Sequence, residues 1–376
     1  MRAFEPRIPR HLARQLGKEA VAISKSGKYV VPAGPVDISA AVISSLKKTA
    51  YHGPEHKHEP ASPGPHKLAF EVTNETTLSA HRRHQAKGHN VVSLNFASAT
   101  TPGGGFLTGA RAQEEYLCRS SALYLTLKDW PMYGYHRAQG HCIYSDAMVY
   151  SPDVPVFRDD EHELLPSPYQ ASFITSAALL AKHLVGRTLG QLPEVLFNRM
   201  LKILSVAKSN GHDSLILGAW GCGAFGNDGN LVADIFHRAL MQDFAGSFKE
   251  VTFAIVDTSP EQRFISPFAK RFAADGQPET VDEDVLYTKA ARPSLKGSAA
   301  QQSKPAKWKE LPEKELPEEE KKAYVDEAAD LQDAYRQHPQ KKPKLQWGGG
   351  GSWESTPPSE GTAWWSGGGH YGSEGW

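Results

Sequence analysis

The sequence predicts an α/β fold with a largely parallel or mixed central sheet. Three short apolar runs bounded by turn residues have the pattern of buried strands: residues 90–99 (NVVSLNFASA), 213–220 (DSLILGAW) and 251–257 (VTFAIVD). Segments with the apolar spacing of helices alternate with these runs. Strands that alternate with helices are typical of a sheet whose faces are covered by helices.

Four helices are expected in the apolar-rich region, which covers about residues 67–275. They correspond to TLSAHRRHQAKG from Thr77, AQEEYLCRSSALYLTL from Ala112, LFNRMLKILSVAKSNG from Leu196 and NLVADIFHRALMQDF from Asn230. The third segment ends in Asn-Gly, which commonly terminates a helix. A further helix is expected within VDISAAVISSLKKTAYH (36–52), and HGPEHKHEPASPGP (52–65) is predicted to be a linker.

Composition divides the chain into three parts. Residues 1–66 are predicted to be a helical and linker extension, and residues 67–285 the folded domain. Apolar residues become scarce near residue 290, so residues 286–376 are predicted to be a mostly disordered tail. One charged stretch can form a lone helix from Pro317 to Gln337, and the Gly/Ser/Trp-rich end cannot build a core.

The bulk composition excludes several classes of protein. Lys+Arg and Asp+Glu both number 42, so net charge does not indicate a nucleic-acid-binding protein. No apolar run is long enough to cross a membrane. Three scattered cysteines suggest a reducing compartment, and nuclear or cytoplasmic localisation is expected. His52, His56 and His58 could bind a metal, but the neighbouring prolines and lysine favour a solvated loop.

Two glycine-rich loops follow predicted strands. SATTPGGG ends in Gly103–Gly105, and GAWGCGAFGND contains Gly221, Gly223 and Gly226. Ligands of open α/β sheets collect at the carboxyl ends of strands. Bare backbone N–H groups next to a helix N-terminus favour phosphate, so the two loops together predict a phosphate-binding site.

Two other interpretations of these glycines remain open at this point. Gly221, Gly223 and Gly226 satisfy G-x-G-x-x-G, and Asp257 ends the following strand, as in dinucleotide-binding enzymes. However, Asp257 lies about thirty residues beyond Gly226, where about twenty are expected, and this interpretation leaves Gly103–Glu115 unexplained. The glycines could also form turns without a ligand. Neither loop ends in G-K-[ST], which argues against phosphoryl transfer.

With both loops in place, the chain resembles the microbial-type poly(ADP-ribose) glycohydrolases. That family has a triple glycine followed six to eight residues later by Gln-Glu-Glu; here seven residues separate Gly103–Gly105 from Gln113-Glu114-Glu115. The blocks LNFASATTPGGGFLTGARAQEEYLCRSSALY, YSDAMVYSPDVPVFRDD and LILGAWGCGAFGND are similar to the family's pattern, over roughly residues 70–260. One departure is Ala80-His81, where the family tends to carry two alanines, and adenine binding could differ.

The resemblance implies a macrodomain-like α/β/α sandwich that hydrolyses ribose–ribose bonds of poly(ADP-ribose) and releases ADP-ribose. Glu115 would be the catalytic acid and Glu114 the neighbouring ribose ligand. The expected substrate-binding residues are Asn95, Gly103, Gly104, Gly105, Gln113, Gly221, Cys222, Gly223, Ala224 and Phe225. Gly221–Phe225 would form the diphosphate loop, with Phe225 against the terminal ribose. Neither a metal nor a cofactor is expected. The expected partners are the polymer, ADP-ribose and ADP-ribosylated proteins, and the chain is expected to be a monomer without membrane attachment.

Two functions other than polymer hydrolysis also fit this pattern. A binding module could recognise ADP-ribose ends without cleaving them, although the intact Glu114 and Glu115 argue against this. An enzyme of the same fold could instead remove ADP-ribose from an amino acid side chain or a nucleotide base.

Overall fold

A computed structural model describes residues 8–56 and 63–273, all of which belong to one compact unit that spans Met1–Leu295. The predicted tail after residue 285, with its helix from Pro317 to Gln337, lies outside the described residues. Residues 57–62 of the predicted linker, which include His58, lie outside them too.

Nine strands are present in the described part of the chain, in a small hairpin and a seven-stranded sheet. They are β1 (Lys28–Val31), β2 (Gly34–Asp37), β3 (Ala50–His52), β4 (Ala69–Thr73), β5 (Val91–Phe96), β6 (Met148–Arg158), β7 (Leu164–Ser176), β8 (Ser214–Leu217) and β9 (Glu250–Ala254). The large sheet has the order β3-β6-β7-β5-β8-β9-β4. From β7 to β4 all neighbours are parallel, whereas β3, β6 and β7 are antiparallel. The predicted mixed sheet is confirmed.

Helices pack on both faces of this sheet. They are α1 (Arg10–Ser26), α2 (Ser39–Lys48), α3 (Thr77–Ala86), α4 (Gln113–Ser120), α5 (Leu123–Leu127), α6 (Pro131–Gln139), α7 (Gly186–Gly190), α8 (Leu192–Ser209), α9 (Gly229–Arg238) and α10 (Ser266–Arg271). Adjacent strand residues point to opposite faces, so Phe173 and Ile174 of β7 enter different hydrophobic clusters. One cluster includes α8 and α9, and the other includes α1, α4 and α5. This layering is the predicted α/β/α sandwich.

The three predicted strands and most predicted helices are confirmed, but one predicted helix is divided. The segment AQEEYLCRSSALYLTL forms α4 and α5, which are separated at Ser121. Ser121 has an extended backbone (φ −148°, ψ 174°) and bridges to Val156 of β6. The next amide, of Ala122, donates to Pro155 O at 3.0 Å, so pairing with the strand replaces the helical hydrogen bonds at this point.

Neither α1 nor the long β6–β7 hairpin was predicted from the sequence as an element. Helix α1 contacts the turn after the triple glycine, where a Cβ added at Gly17 would be 2.7 Å from Phe106 O. The predicted division at residue 66 stays a prediction, and β3, which precedes it, lies at the edge of the seven-stranded sheet beside β6. None of the helices in the described residues is long and apolar enough to cross a membrane.

Candidate active site

A cavity of about 1030 Å³ lies at the carboxyl ends of β5, β8 and β9. Four segments form most of its lining: residues 96–98 at the end of β5, residues 111–116 at the start of α4, residues 219–221 and 223–225 after β8, and residues 254–260 at the end of β9. Both glycine loops were predicted to border such a site. The second loop lines the cavity directly, whereas the triple glycine lies against the two glutamates.

Glu114 is buried at the base of this cavity, with 3% of its surface exposed. Its Oε2 accepts a hydrogen bond from the Ser98 N–H at 2.6 Å, and its Oε1 accepts one from Asn95 Nδ2 at 3.4 Å. Burial raises the pKa of Glu114 to about 8; the Ser98 bond opposes this shift, and the Glu115 carboxylate adds to it. Glu114 therefore has the character of a neutral carboxylic acid near pH 7.

Glu115, in the first turn of α4, also lines the cavity. Its Oε1 accepts a hydrogen bond from the Gly105 N–H at 2.9 Å. Its Oε2 is buried and has no hydrogen-bond partner among the described residues. A buried polar atom without a partner calls for an explanation, and a catalytic role is one such explanation. One oxygen of Glu115 is thus held by the glycine loop, and the other makes no hydrogen bond to the described residues.

The triple glycine adopts backbone angles that other residues rarely adopt. Gly103 and Gly104 have φ angles of +69° and +58°. A Cβ added at Gly104 would overlap Glu115 Oε1 and lie 3.1 Å from Glu114 Oε2. The loop therefore approaches both carboxylates at a distance that only glycine permits.

We expect Gly104→Ala to lower the catalytic rate at this site by about 100-fold, because the methyl group displaces both carboxylates and small misplacements have effects of this size. The left-handed backbone adds a stability loss of about 1–2 kcal/mol. Gly186→Ala is the matched control, because Gly186 has φ +53° and nothing within 4 Å of an added Cβ. Steady-state rates and thermal unfolding of both variants measure the difference. Equal rates for the two variants would contradict the proposed contact.

Gln113 and Asn95 were predicted to bind substrate, and both make hydrogen bonds within the protein. Gln113 Oε1 accepts from the Phe96 N–H at 2.9 Å, and its Nε2 donates to Leu94 O at 2.8 Å, so its amide joins α4 to the end of β5. Asn95 is fully buried and is not part of the cavity lining. Its Nδ2 lies between Glu114 and Thr175. Contact of either side chain with substrate stays a prediction.

Arg119, which the sequence analysis did not single out, lies one helical turn after Glu115 and also lines the cavity. Its Nη1 donates to Ala110 O at 2.7 Å, which fixes the segment between the glycines and α4. Burial lowers the pKa of Arg119, and the nearby Glu115 opposes that shift. In the sequence, Arg119 could have been found from its position, because it lies four residues after Glu115 on the same helix.

The second glycine loop lines the same cavity as the glutamates. Gly221 has φ +74°, and Asn227 Nδ2 donates to its carbonyl at 3.0 Å. Within the described residues, the amides of Gly223, Ala224 and Phe225 have no hydrogen-bond acceptor. Phe225 is half-buried and lines the cavity, and its ring lies 6.4 Å from that of Tyr144. Of the predicted loop residues, Cys222 is the one that is not part of the cavity lining.

Asp257 does not have the environment that a ribose-binding carboxylate of a dinucleotide enzyme needs. Its Oδ1 accepts from the Ser259 N–H at 2.9 Å, and its Oδ2 accepts from the amides of Phe264 and Ile265. Burial raises the pKa of Asp257, but these hydrogen bonds lower it further than burial raises it. The Asp257 carboxylate therefore stabilises the segment that follows β9 through hydrogen bonds to backbone amides of that segment.

The described residues contain one cluster with the composition of a metal site, formed by Glu71, His84 and Glu250. His84 is already bonded through Nδ1 to Ser214 Oγ at 2.6 Å and through Nε2 to Thr252 Oγ1 at 2.8 Å. The two carboxylates lie near opposite ring nitrogens. One metal ion could not bind both carboxylates and the imidazole without breaking these bonds.

Comparison with protein-family models gives one match. Residues 17–159 match the family model "Microbial-type PARG, catalytic domain". This range includes the triple glycine, Gln113, Glu114 and Glu115. No curated protein matches the chain.

Solved structures of poly(ADP-ribose) glycohydrolases are similar to this chain. The enzyme from Thermomonospora curvata is 42% identical, with a TM-score of 0.64, and the match covers 70% of this chain and 100% of that chain. The same enzyme bound to the inhibitor ADP-HPD gives the same values. The enzyme from Deinococcus radiodurans in complex with ADP-ribose is 37% identical, with a TM-score of 0.58 and coverage of 64% and 100%.

Proposed function

The chain belongs to the microbial-type PARG family, the poly(ADP-ribose) glycohydrolases, and we propose that Glu115 is the acid with which it cleaves ribose–ribose bonds. The observation that supports this role best is the unpartnered Oε2 of Glu115 beside a large cavity. The enzyme from Deinococcus radiodurans binds ADP-ribose, and we propose that this cavity holds the same group.

Glu114 and Glu115 have different roles in this proposal. Ordinary glycosidases place two carboxyl groups on either side of the bond, about 5–5.5 Å or 6.5–9.5 Å apart. Neighbouring residues on one helix do not share a face, so these two glutamates do not straddle the sugar in that way. Glu114 is more deeply buried, with both oxygens hydrogen-bonded to the protein, and its remaining lone pairs and acid proton suit ribose hydroxyls.

Cleavage proceeds by general acid catalysis in this proposal. Glu115, protonated on Oε2, donates its proton to the oxygen that leaves the ribose anomeric carbon. As that bond breaks, positive charge develops on the sugar, where the carboxylate of Glu115 stabilises it. Glu115 then accepts a proton from the attacking water, which restores the acid and yields ADP-ribose with a free anomeric hydroxyl. Proton transfer of this kind contributes about 10²–10⁴-fold.

The amides of Gly223, Ala224 and Phe225 are proposed to bind the diphosphate. They have no acceptor among the described residues, and they follow one another in a loop that lines the cavity, where successive backbone N–H groups can bind an anion. The flat ring of Phe225 then packs against the terminal ribose and holds the anomeric carbon close to Glu115.

We expect Phe225→Ala to lower kcat/KM by about 10–100-fold, because the ribose loses the surface that orients it. Phe225 is only half-buried, so the stability loss should stay below the 3–5 kcal/mol typical of a buried phenylalanine. Phe197→Ala on α8 is a matched control, since Phe197 is also half-buried and lies outside the cavity. A similar rate loss in both variants would argue against the contact with ribose.

Two other functions predict different products. Incubation of the purified protein with labelled poly(ADP-ribose) should release ADP-ribose monomers. Binding of the polymer without monomer release would favour a reader module. Release of ADP-ribose from singly modified proteins, with the polymer left intact, would favour an enzyme for another acceptor.

The partners and the cellular compartment are inferred from this function. We propose that the chain acts as a monomer on poly(ADP-ribose) attached to ADP-ribosylated proteins. The three cysteines are free, which suits the reducing nucleus or cytoplasm. Size-exclusion chromatography with light scattering tests the monomer.

A further inference from the structure

His136 on α6 joins Ala99, which follows β5, to Ser145, which precedes β6. It is buried, with 1% of its surface exposed, and is not part of the cavity lining. Its Nδ1 is 2.9 Å from Ala99 O, and its Nε2 is 2.6 Å from Ser145 Oγ and 3.1 Å from the Ser145 amide nitrogen. Through these two contacts, His136 is connected to the surroundings of Glu114 and of Phe225.

The partners of His136 determine where its proton is. A backbone carbonyl only accepts hydrogen bonds, so Nδ1 must carry the proton that is donated to Ala99 O. A backbone amide only donates, so Nε2 must be the acceptor for Ser145. The neutral tautomer with hydrogen on Nδ1 is therefore the one that satisfies both contacts. Burial lowers the pKa of His136, as do Arg199 and His141, while the bond to Ala99 opposes this.

The contact with Ala99 leads to Glu114. Ala99 is next to Ser98, whose N–H donates to Glu114 Oε2 at 2.6 Å. The Thr101 N–H donates to Ser98 Oγ at 3.2 Å, and the Gly104 N–H donates to Thr101 O at 3.0 Å, so the same turn continues into the triple glycine. The adjacent Arg137 donates to Thr100 O. A shift of Ala99 therefore moves the donor that positions Glu114.

The contact with Ser145 leads to Phe225. Tyr144, the residue before Ser145, has a left-handed backbone with φ +57°, which is uncommon for a bulky residue and persists only where its surroundings impose it. Its ring lies 5.5 Å from the His136 ring and 6.4 Å from the Phe225 ring. Tyr144 also packs on the cluster of Ala97, Ala99 and Ala177, so it touches the first loop as well as the second.

The rest of the segment from 140 to 147 is fixed from the opposite side. Arg199 on α8 donates through Nη2 to Ile143 O at 3.0 Å, and the Leu180 N–H donates to Cys142 O at 2.9 Å. These contacts fix the middle of the segment, and His136 supplies the hydrogen bonds at Ser145. Removal of the imidazole therefore releases one end of a segment that is otherwise rigid.

We propose that His136 is a positioning residue that sets Glu114 through Ala99 and Phe225 through Tyr144 and Ser145. It touches no substrate, and it keeps Glu114 and Phe225 at the spacing that cleavage needs. This inference rests on the proposed function, because Glu114 and Phe225 are assigned there.

Two substitutions separate the two contacts. The amide nitrogen of asparagine occupies nearly the position of Nδ1, so His136→Asn keeps the donor to Ala99 and loses the acceptor for Ser145. The amide oxygen of glutamine reaches the position of Nε2, so His136→Gln keeps the acceptor for Ser145 and loses the donor to Ala99. His84→Asn and His84→Gln are controls, because His84 is also buried and bonded through both nitrogens, at the opposite end of the strands.

The measurements are kcat and KM on labelled poly(ADP-ribose), the Kd for ADP-ribose, and thermal unfolding of all four variants. We expect His136→Gln to lower kcat at least 10-fold with little change in Kd, and His136→Asn to raise Kd and KM at least fivefold with a smaller change in kcat. The same kcat and Kd changes in the His84 variants, or none in the His136 variants, would overturn the proposal.

These measurements also distinguish a failure of this inference from a failure of the proposed function. A wild type that cleaves the polymer, with no split between the two His136 variants, contradicts the inference alone. A wild type that binds ADP-ribose without cleaving the polymer contradicts the proposed function, and the Kd of His136→Asn still decides the inference. If the wild type neither binds ADP-ribose nor cleaves the polymer, the inference and the proposed function are both contradicted.

Discussion

Glu115→Gln should lose nearly all polymer turnover while it retains its affinity for ADP-ribose. Glutamine keeps the size of the side chain and can still accept the Gly105 N–H, which is 2.9 Å from Oε1 in the wild type. An amide cannot hand a proton to the leaving oxygen or accept one from water. We expect kcat to fall by at least about 10³-fold, within the range of general acid catalysis. Single-turnover rates on labelled polymer and calorimetric titration with ADP-ribose measure the two effects separately.

Glu194→Gln is the matched control for this variant. Glu194 lies in the first turn of α8, is exposed, and is not part of the cavity lining, so the same substitution removes a charge from a similar helix position. Its turnover should equal that of the wild type. If Glu115→Gln cleaves the polymer at a rate near that of Glu194→Gln, Glu115 is not the acid.

Glu114→Gln should lower turnover by about 10–100-fold, because the ribose is held less well, and should stabilise the fold at pH 8. Burial raises the pKa of Glu114 from 4.5 to about 8, so the folded state keeps a proton that the unfolded state releases between these values. The contribution of Glu114 to wild-type stability therefore falls as pH rises from about 4.5 to 8. Glutamine does not titrate, so the variant should exceed the wild type by about 2 kcal/mol or more at pH 8.

Urea unfolding of the wild type, Glu114→Gln and Glu115→Gln at pH 5 and pH 8 tests this dependence. The advantage of Glu114→Gln should be much smaller at pH 5, because this pH is only slightly above the unfolded pKa of 4.5 and the folded state still holds its proton. Asn95 Oδ1 has no partner among the described residues. If the side-chain amide of Asn95 flips, this oxygen can accept a hydrogen bond from the amide that Glu114→Gln introduces. An advantage that is equal at the two pH values would show that burial of the acid is not the cause.

Much of the fold could be predicted from local patterns. Strand β5 and helices α8 and α9 follow directly from apolar spacing, because each packs one regular face or lies entirely in the core. The break at Ser121 could not be predicted in this way, since it depends on pairing with Val156, which is distant in sequence. Helix α1 is also set by tertiary contact, through the close approach of Gly17 to Phe106.

Some residues of the candidate site could likewise be predicted from the sequence, and others could not. The roles of Glu114 and Glu115 were predicted from the family resemblance, which could be seen in the sequence because Gly103–Gly105 and Gln113–Glu115 lie on one continuous segment. His136 and Ser98 could not be identified from the sequence, because their contacts run through backbone atoms or join distant segments. Gln113 was predicted as a ligand, yet its amide hydrogen bonds all go to β5 and α3, a distinction that requires the three-dimensional positions.

A crystal structure of Glu115→Gln soaked with ADP-ribose tests the central claim most directly. We expect the terminal ribose to lie between residue 115 and Phe225, with its anomeric oxygen within hydrogen-bond distance of the side chain at 115 and the diphosphate of the ligand on the amides of Gly223–Phe225. A ligand whose ribose is remote from residue 115, or whose diphosphate lies away from this loop, would contradict it.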